Sequence, residues 1–241
     1  MVIDIHSHIK WLHQHQEELE QQLLSDMERN HIDKRVVSCI QGTDMMRNNQ
    51  YISDFVAKYP SKLIGCGVIN PKDPDCEKHC EKLLQLQNIK MVEFNSLEHS
   101  YYPDVCENVE KVFEILKTKR VPVKIFSGIG AYAMPHQWIK YVEKYPEISF
   151  IFLHMGCFDY GYGCVDFAVK YPNVYLETSN QYEVQILKKS LAVVPKEKLL
   201  FGSLYPERLT KCSLHIYNMF SMEEDKKRLW LGENAALLFN I

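Results

Sequence analysis

The chain has 241 residues, of which 46% are hydrophobic and 24% are charged, and its formal net charge is -3. This composition is typical of a folded globular protein and excludes intrinsic disorder, which combines low hydrophobicity with high net charge. The 28 basic residues do not outnumber the 31 acidic ones, so the chain lacks the positive surface of a nucleic-acid-binding protein. No run of about 18 apolar residues is present, and no membrane-spanning segment is expected.

The amino terminus and the cysteines indicate a reducing compartment. The opening Met-Val-Ile-Asp-Ile-His has neither the basic nor the apolar region of a secretory signal. Several of the eight cysteines, such as Cys39 and Cys66, lie in apolar runs where a thiol behaves as a small buried side chain. Cys76 and Cys80 share a helix face, but no second ligand pair at zinc-site spacing accompanies them. We therefore expect a cytoplasmic protein with reduced thiols.

Eight short apolar segments alternate with helix-like segments along the chain. Three helix-like segments end in Lys-Tyr-Pro. Because proline cannot continue a helix, each of these tripeptides predicts a helix end followed by a strand. The predicted strands are residues 2–6, 35–40, 63–69, 89–94, 121–126, 148–154, 174–177 and 199–202.

Regular β/α repetition over this length predicts an α/β fold, a single (β/α)8 TIM barrel that forms one domain over residues 1–241. A doubly wound open sheet is the alternative, but such a sheet seldom needs eight consecutive parallel strands. In a barrel of this kind the active site lies at the carboxyl ends of the strands, so the strand ends indicate where to search for functional residues.

The first predicted strand leads into Asp4-Ile-His6-Ser-His8. Strand alternation places His6 and His8 on one side, with Asp4 below them. Two imidazoles at this spacing can chelate one metal ion, and two hydrogen-bonded loop histidines are the alternative.

A third histidine, His154, ends the sixth predicted strand. The run before it is uniformly apolar, so we interpret His154 as a metal ligand or a general acid/base rather than as core filling. His13 and His15 repeat the same spacing as His6 and His8, but they lie in a polar segment rich in Glu and Gln. Helical periodicity places these two on different faces, and we expect both at the surface.

Seven segments in order resemble those of a known family. They include Ile3-Asp-Ile-His-Ser-His8, Val121-Pro-Val-Lys-Ile-Phe-Ser-Gly128, Phe152-Leu-His-Met-Gly156, Leu200-Phe-Gly-Ser-Leu-Tyr-Pro206 and Asn234-Ala-Ala-Leu-Leu-Phe239. The chain thereby resembles the metal-dependent amidohydrolase superfamily, in the branch of the aminocarboxymuconate-semialdehyde decarboxylase-like enzymes. The resemblance implies a barrel with a divalent, zinc-like metal at His6 and His8, and a catalytic role for His154.

Two positions depart from the family pattern. The metal-binding histidine of strand 5 is replaced by Phe126, and the aspartate of strand 8 is replaced by Leu204. Neither side chain can coordinate a metal or carry a proton. We therefore expect the metal site to be weak or absent.

Other residues near strand ends could compensate for the missing histidine of strand 5 and the missing aspartate of strand 8. Glu93 near the end of strand 4 is a candidate metal ligand, and Glu177 near the end of strand 7 is a further carboxylate. Strand parity places Lys124 inside the barrel, where it can pair with Asp4 in a salt bridge, act as an amine nucleophile or contact the substrate.

Two loop residues are candidates for substrate binding. Arg47, in the loop after strand 2, can bind a substrate carboxylate, and its alternative is an ordinary exposed arginine. Tyr102, after strand 4, can line the pocket mouth or be an exposed turn residue.

These observations predict a hydrolase or non-oxidative decarboxylase that acts on a small polar, carboxylated molecule. The alternative, suggested by Phe126 and Leu204, is a catalytically degenerate barrel that binds a metabolite or a protein partner. No oligomeric state follows from the sequence.

Overall fold

In a computed structural model, eight parallel strands form one sheet whose spatial order is the chain order. The structure describes residues 1–12, 14–216 and 218–241. The strands are β1 (Ile3–His8), β2 (Lys34–Ser38), β3 (Leu63–Val68), β4 (Ile89–Phe94), β5 (Val123–Ile125), β6 (Phe150–Phe152), β7 (Val174–Glu177) and β8 (Leu199–Leu200).

Backbone hydrogen bonds between β1 and the residues that follow β8 close the sheet into a barrel. The backbone N–H of Ile5 donates to the carbonyl of Phe201 at 2.9 Å, and that of His8 donates to the carbonyl of Tyr205 at 2.7 Å. These bonds pair the edge of β1 with the chain that follows β8. The predicted (β/α)8 barrel is confirmed over the open sheet.

Helices cover the outside of the barrel. Those that precede β3, β6 and β7 end at Lys58, Lys144 and Lys170, the lysines of the three Lys-Tyr-Pro tripeptides. No helix in the described ranges is long and apolar enough to cross a membrane. The helices are α1 (Gln16–Arg29), α2 (Met45–Lys58), α3 (Cys76–Leu83), α4 (Glu107–Leu116), α5 (Ile139–Lys144), α6 (Gly161–Lys170), α7 (Val184–Val193), α8 (Thr210–Ile216), α9 (Glu224–Arg228) and α10 (Asn234–Phe239).

An aromatic cluster fixes α4 and α5 against the sheet. The ring of Phe113 on α4 lies 5.3 Å from those of Phe94 and Phe150, and 5.1 Å from that of Tyr141. All four side chains are buried. Burial of a side chain such as phenylalanine contributes about 1.5–3 kcal/mol, so this cluster stabilises the packing of α4 and α5 on β4 and β6.

The sixth strand is shorter than predicted. β6 ends at Phe152, whereas the sequence predicted a strand over residues 148–154. A 3-10 turn, Leu153–Gly156, follows, and His154 and Met155 have φ angles of 59° and 50°. The backbone N–H of His154 donates to the Glu177 carboxylate at 3.1 Å instead of to a neighbouring strand. Left-handed backbone is costly for residues other than glycine, so this contact helps to hold His154 in a strained turn.

Candidate active site

Asp4 forms the buried base of the site. Its carboxylate accepts hydrogen bonds from Arg35 Nε at 2.9 Å and from Ser203 Oγ at 2.6 Å. Arg35 also donates to Asp26 and Thr210. Burial raises the pKa of Asp4 above its ordinary value, although the Arg35 guanidinium opposes this. These contacts join β1, β2 and the loop after β8 beneath the strand-end histidines.

His6 and His154 share one pair of supporting side chains. Glu177 Oε2 lies 3.0 Å from His6 Nδ1, and Ser179 Oγ lies 3.1 Å from that nitrogen and 2.9 Å from His154 Nδ1. The two rings are 5.0 Å apart between centroids. Burial lowers the pKa of both histidines, most strongly for His6, where the Lys124 charge adds to the effect. Both rings are therefore neutral near pH 7, with Nδ1 held in place.

Gly202 makes room for this arrangement. A Cβ atom at Gly202 would lie 2.2 Å from Glu177 Oε1 and 2.9 Å from the Cβ of His6. Either distance is a clash, so a larger residue would displace the carboxylate that supports both rings. The glycine after Phe201 is thus a requirement of close packing at the site.

A second buried network surrounds His8. Its Nε2 lies 3.2 Å from Glu93 Oε1, and its Nδ1 lies 3.6 Å from Glu207. Burial disfavours the charged ring, but the carboxylates of Glu93 and Glu207 outweigh burial and raise the pKa of His8 to about 9. His8 is therefore an imidazolium at neutral pH in the metal-free chain, in contrast to His6 and His154.

Lys124 pairs with Glu93 rather than with Asp4. Its Nζ lies 3.0 Å from Glu93 Oε2, whereas Asp4 is paired with Arg35. Burial would lower the pKa of Lys124, but the Glu93 charge outweighs it and raises this pKa. The structure thus places an ammonium ion here, and a neutral amine nucleophile does not fit these surroundings.

A cavity of about 300 Å³ opens at the carboxyl end of the barrel. Large apolar side chains form part of its wall, and the ring of Phe126 packs edge-on against His154 with centroids 5.3 Å apart. The wall therefore combines imidazoles with apolar surface at the position where the family pattern has metal ligands. The lining includes His8, Phe126, His154, Asn180, Leu204 and Arg208.

Arg208 supplies a positive charge to this cavity. Its Nε donates to Asn180 Oδ1 at 2.8 Å, and its Nη1 donates to the backbone carbonyl of Glu207 at 2.9 Å. No carboxylate in the described part of the chain forms an ion pair with it. Sequence reasoning missed both Arg208 and Asn180. The sequence feature that could have identified Arg208 is its position four residues after Leu204, in the loop after β8.

The structure places two predicted substrate contacts away from the cavity lining. Arg47 is exposed on the first turn of α2, with its guanidinium 5.9 Å from the centre of the Trp11 ring. Tyr102 packs on Tyr132 with centroids 4.5 Å apart. His15 is exposed as expected, and His13 lies outside the described residues.

Among the described residues, two groups bring possible metal ligands within 4.8 Å of one another, namely His6 with His154 and Glu177, and His6 with His8 and Glu93. In the first group the Nδ1 atoms are already bound to Glu177 and Ser179. His6 Nε2, by contrast, is buried without a hydrogen-bond partner in the described chain. A carboxylate on the far nitrogen of an imidazole is the usual support of a metal-binding histidine. Of the two groups, His6, His8 and Glu93 therefore fit a divalent cation better, and Glu93 is the donor already bound to His8 and Lys124.

Replacing Glu177 by glutamine is expected to lower the free energy of unfolding by about 1–3 kcal/mol. Glutamine has only one accepting oxygen, so in either orientation its NH2 group faces a buried donor that Glu177 now satisfies. Urea denaturation monitored by circular dichroism measures the change. The exposed control Glu197→Gln should stay within about 0.5 kcal/mol of the wild type, and equal stability of the two variants would remove the supporting role of Glu177.

No curated protein matches the chain significantly. Solved structures do match it over its whole length. The 5-carboxyvanillate decarboxylase LigW from Sphingomonas paucimobilis has a TM-score of 0.77 at 17% identity, covering 100% of this chain and 99% of that chain. A 2,6-dihydroxybenzoate decarboxylase complexed with 2,6-dihydroxybenzoate has a TM-score of 0.78 at 13% identity, with the same coverage.

A third structure, 5-carboxyvanillate decarboxylase from Novosphingobium aromaticivorans complexed with manganese, has a TM-score of 0.77 at 16% identity, covering 100% of this chain and 96% of that chain. These similarities confirm the barrel fold. The model of one family, described as Amidohydrolase, matches residues 3–241. With nearly the whole chain matched and the strand-end histidines in place, the protein belongs to the amidohydrolase family.

Proposed function

We propose that the chain is a non-oxidative decarboxylase that removes carbon dioxide from a small carboxylated molecule at the carboxyl end of the barrel. The observation that carries this proposal is the composition of the cavity wall, where Arg208, a neutral His154 and the apolar Phe126 and Leu204 meet. A volume of about 300 Å³ suits a small ring compound.

Arg208 provides the affinity for an anionic substrate. Guanidinium groups bind carboxylates through charge-assisted hydrogen bonds, and the bond to Asn180 fixes the orientation of this one. Phe126 and Leu204 offer apolar surface to the non-polar part of the molecule and displace part of the water around the carboxylate. Loss of water from a carboxylate favours its conversion into neutral carbon dioxide.

The reaction adds one proton and releases one molecule of carbon dioxide. The proton is added to the carbon that bears the carboxylate, the bond between that carbon and the carboxylate carbon breaks, and its electron pair stays with the substrate carbon. Before the substrate binds, the neutral His154 takes up a proton from solvent at Nε2, and it then delivers this proton to that carbon. Its Nδ1 is held by Ser179, so Nε2 is the nitrogen left for the substrate. A lowered pKa makes the protonated ring a stronger acid toward carbon.

A divalent cation fits the donors His6, His8 and Glu93, and bound there it would supply positive charge to substrate oxygens. Zinc and manganese are both compatible with imidazole and carboxylate donors. The manganese-bound relative, named for decarboxylation of an aromatic carboxylate, supports this assignment.

Decarboxylation fits the departures from the family pattern better than hydrolysis does. Hydrolysis needs an activated water molecule, and Phe126 and Leu204 stand where the family pattern has a metal ligand and a proton-accepting carboxylate. Decarboxylation consumes no water. The names of two structural relatives, each a decarboxylase of a carboxylated aromatic compound, favour the same reaction.

A second candidate function is binding without catalysis, which the same two apolar replacements, Phe126 and Leu204, favour.

Proton NMR separates these candidate functions. The protein is incubated, with and without manganese, with hydroxybenzoates, including 2,6-dihydroxybenzoate and 5-carboxyvanillate, and with simple amides and lactones. We expect decarboxylated product from a carboxylated compound and no hydrolysis. Hydrolysis of an amide or lactone would contradict the proposal, and saturable binding without turnover would favour the second candidate.

Replacing Arg208 by methionine is expected to raise the KM for the substrate found in this way by about 10–100-fold, with a smaller change in kcat. The reason is the loss of a charged hydrogen-bond donor to the carboxylate, worth about 1.5–3 kcal/mol. Steady-state kinetics and the Kd of benzoate measure the effect. The exposed control Arg120→Met should retain both constants, and an unchanged benzoate Kd in Arg208→Met would contradict the role of Arg208.

A further inference from the structure

Lys124 is a positive charge enclosed inside the upper barrel. Its Nζ lies 3.0 Å from Glu93 Oε2 and 3.4 Å from Ser38 Oγ, and Ser38 Oγ donates to the same Glu93 oxygen at 2.6 Å. All three side chains are fully buried. The Cα atoms of Glu93 and Lys124 are register partners in the pairing of β4 with β5, so the barrel backbone itself brings the two charges together.

Glu93 is also the one carboxylate of the candidate metal group formed with His6 and His8. Its Oε2 is taken by Lys124 and Ser38, and its Oε1 lies against His8 Nε2. A metal ion that uses Glu93 must therefore take an oxygen from a group already bound to it.

Charge balance decides how strongly the ammonium opposes a metal. Glu93 and Lys124 together are neutral, so a divalent cation bound beside them would add net positive charge to a buried site whose one carboxylate is already paired. The strand-8 position that carries a carboxylate in the family pattern is Leu204, which offers no compensation. Two cations on one buried carboxylate repel each other strongly, because the interior screens charge poorly.

We propose that Lys124 is an internal cation that competes with divalent metal for Glu93 and thereby sets the metal affinity of this chain low. The ammonium neutralises the carboxylate that a metal would otherwise neutralise. Lys124 does not line the cavity and is paired with Glu93, so its role is electrostatic rather than nucleophilic. The inference concerns cation binding alone and does not depend on which reaction the cavity performs.

The variant Lys124→Gln tests the competition, because its amide keeps a donor for Glu93 but carries no charge. Manganese binding to metal-free protein is measured from the electron paramagnetic resonance signal of unbound manganese. We expect Lys124→Gln to bind one manganese ion about ten-fold or more tightly than the wild type. Adding Glu93→Gln or His6→Asn to this variant should abolish the gain, and the exposed control Lys62→Gln should behave as the wild type. Equal or weaker binding by Lys124→Gln would overturn the proposal.

Removal of one partner of a buried ion pair is strongly destabilising, so folding is measured in the same experiment. If Lys124→Gln does not fold without metal, its circular dichroism is followed as manganese is added. We then expect stoichiometric manganese to restore the folded spectrum, because the metal takes over the charge that Lys124 supplied. Failure of manganese to restore the fold would overturn the proposal in that case.

Discussion

Replacing His154 by asparagine is expected to lower the rate constant of decarboxylation by about 10²–10⁴-fold, the usual contribution of a positioned proton donor. Asparagine tolerates the left-handed backbone that His154 adopts, so the turn Leu153–Gly156 should persist. The KM should change much less than kcat, because Arg208 and the apolar wall remain. Single-turnover kinetics with the substrate identified by NMR measure the chemical step directly.

The control is His31→Asn, which exchanges the same residue types at an exposed position that also has a positive φ angle of 54°. We expect wild-type rates for this control and a folded spectrum for both variants. If His154→Asn retained more than about a tenth of the wild-type rate constant, another group would have to deliver the proton, and the role given to His154 would be wrong.

Replacing Arg35 by methionine is expected to lower the free energy of unfolding by about 3–5 kcal/mol, because the change leaves buried charge uncompensated. Arg35 donates to both Asp4 and Asp26, and both Arg35 and Asp4 are fully buried. Burial already raises the pKa of Asp4, and loss of the guanidinium would raise it further. Urea denaturation at neutral pH measures the loss.

Two further variants test whether the loss of stability comes from uncompensated buried charge. Arg228→Met removes an arginine whose two ion pairs are at the surface, and its cost should stay below about 1 kcal/mol. The double variant Asp4→Asn/Arg35→Met should lose less free energy of unfolding than the two single variants lose together. The reason is that it no longer leaves the Asp4 carboxylate buried without a cation. A loss below about 1 kcal/mol in Arg35→Met would show that the base of the site does not depend on this network.

The fold could be predicted from the sequence because its signals are local. Lys-Tyr-Pro marks three helix ends, and the apolar runs mark strands, with β4 and β7 matching the predicted ends. β6 was predicted too long because the residues up to His154 are as apolar as a strand. The bond from the His154 N–H to Glu177 ends the ladder there, and no local pattern in the sequence reports a contact across 23 residues.

The candidate site was predicted only in part, for a similar reason. Strand alternation and the barrel rule were sufficient to place His6, His8 and His154 at one end of the molecule. The ion-pair partner of Lys124 depends on the register of β4 against β5, which cannot be predicted from the sequence alone. The assignment of a carboxylate-binding arginine depends on loop conformation, and both Arg47 and Arg208 follow strand ends at similar distances.

The central claim is that this cavity transfers a proton to carbon and releases carbon dioxide. The most direct test is a reaction in deuterium oxide with a substrate labelled with carbon-13 at its carboxylate, followed by carbon-13 NMR and mass spectrometry. We predict that labelled carbon dioxide or bicarbonate forms in a one-to-one ratio with a product that carries deuterium at the carbon that lost the carboxylate. We also predict that His154→Asn slows the release of label and the formation of deuterated product by the same factor. Retention of the label in the product, or equal release by wild type and His154→Asn, would contradict this account.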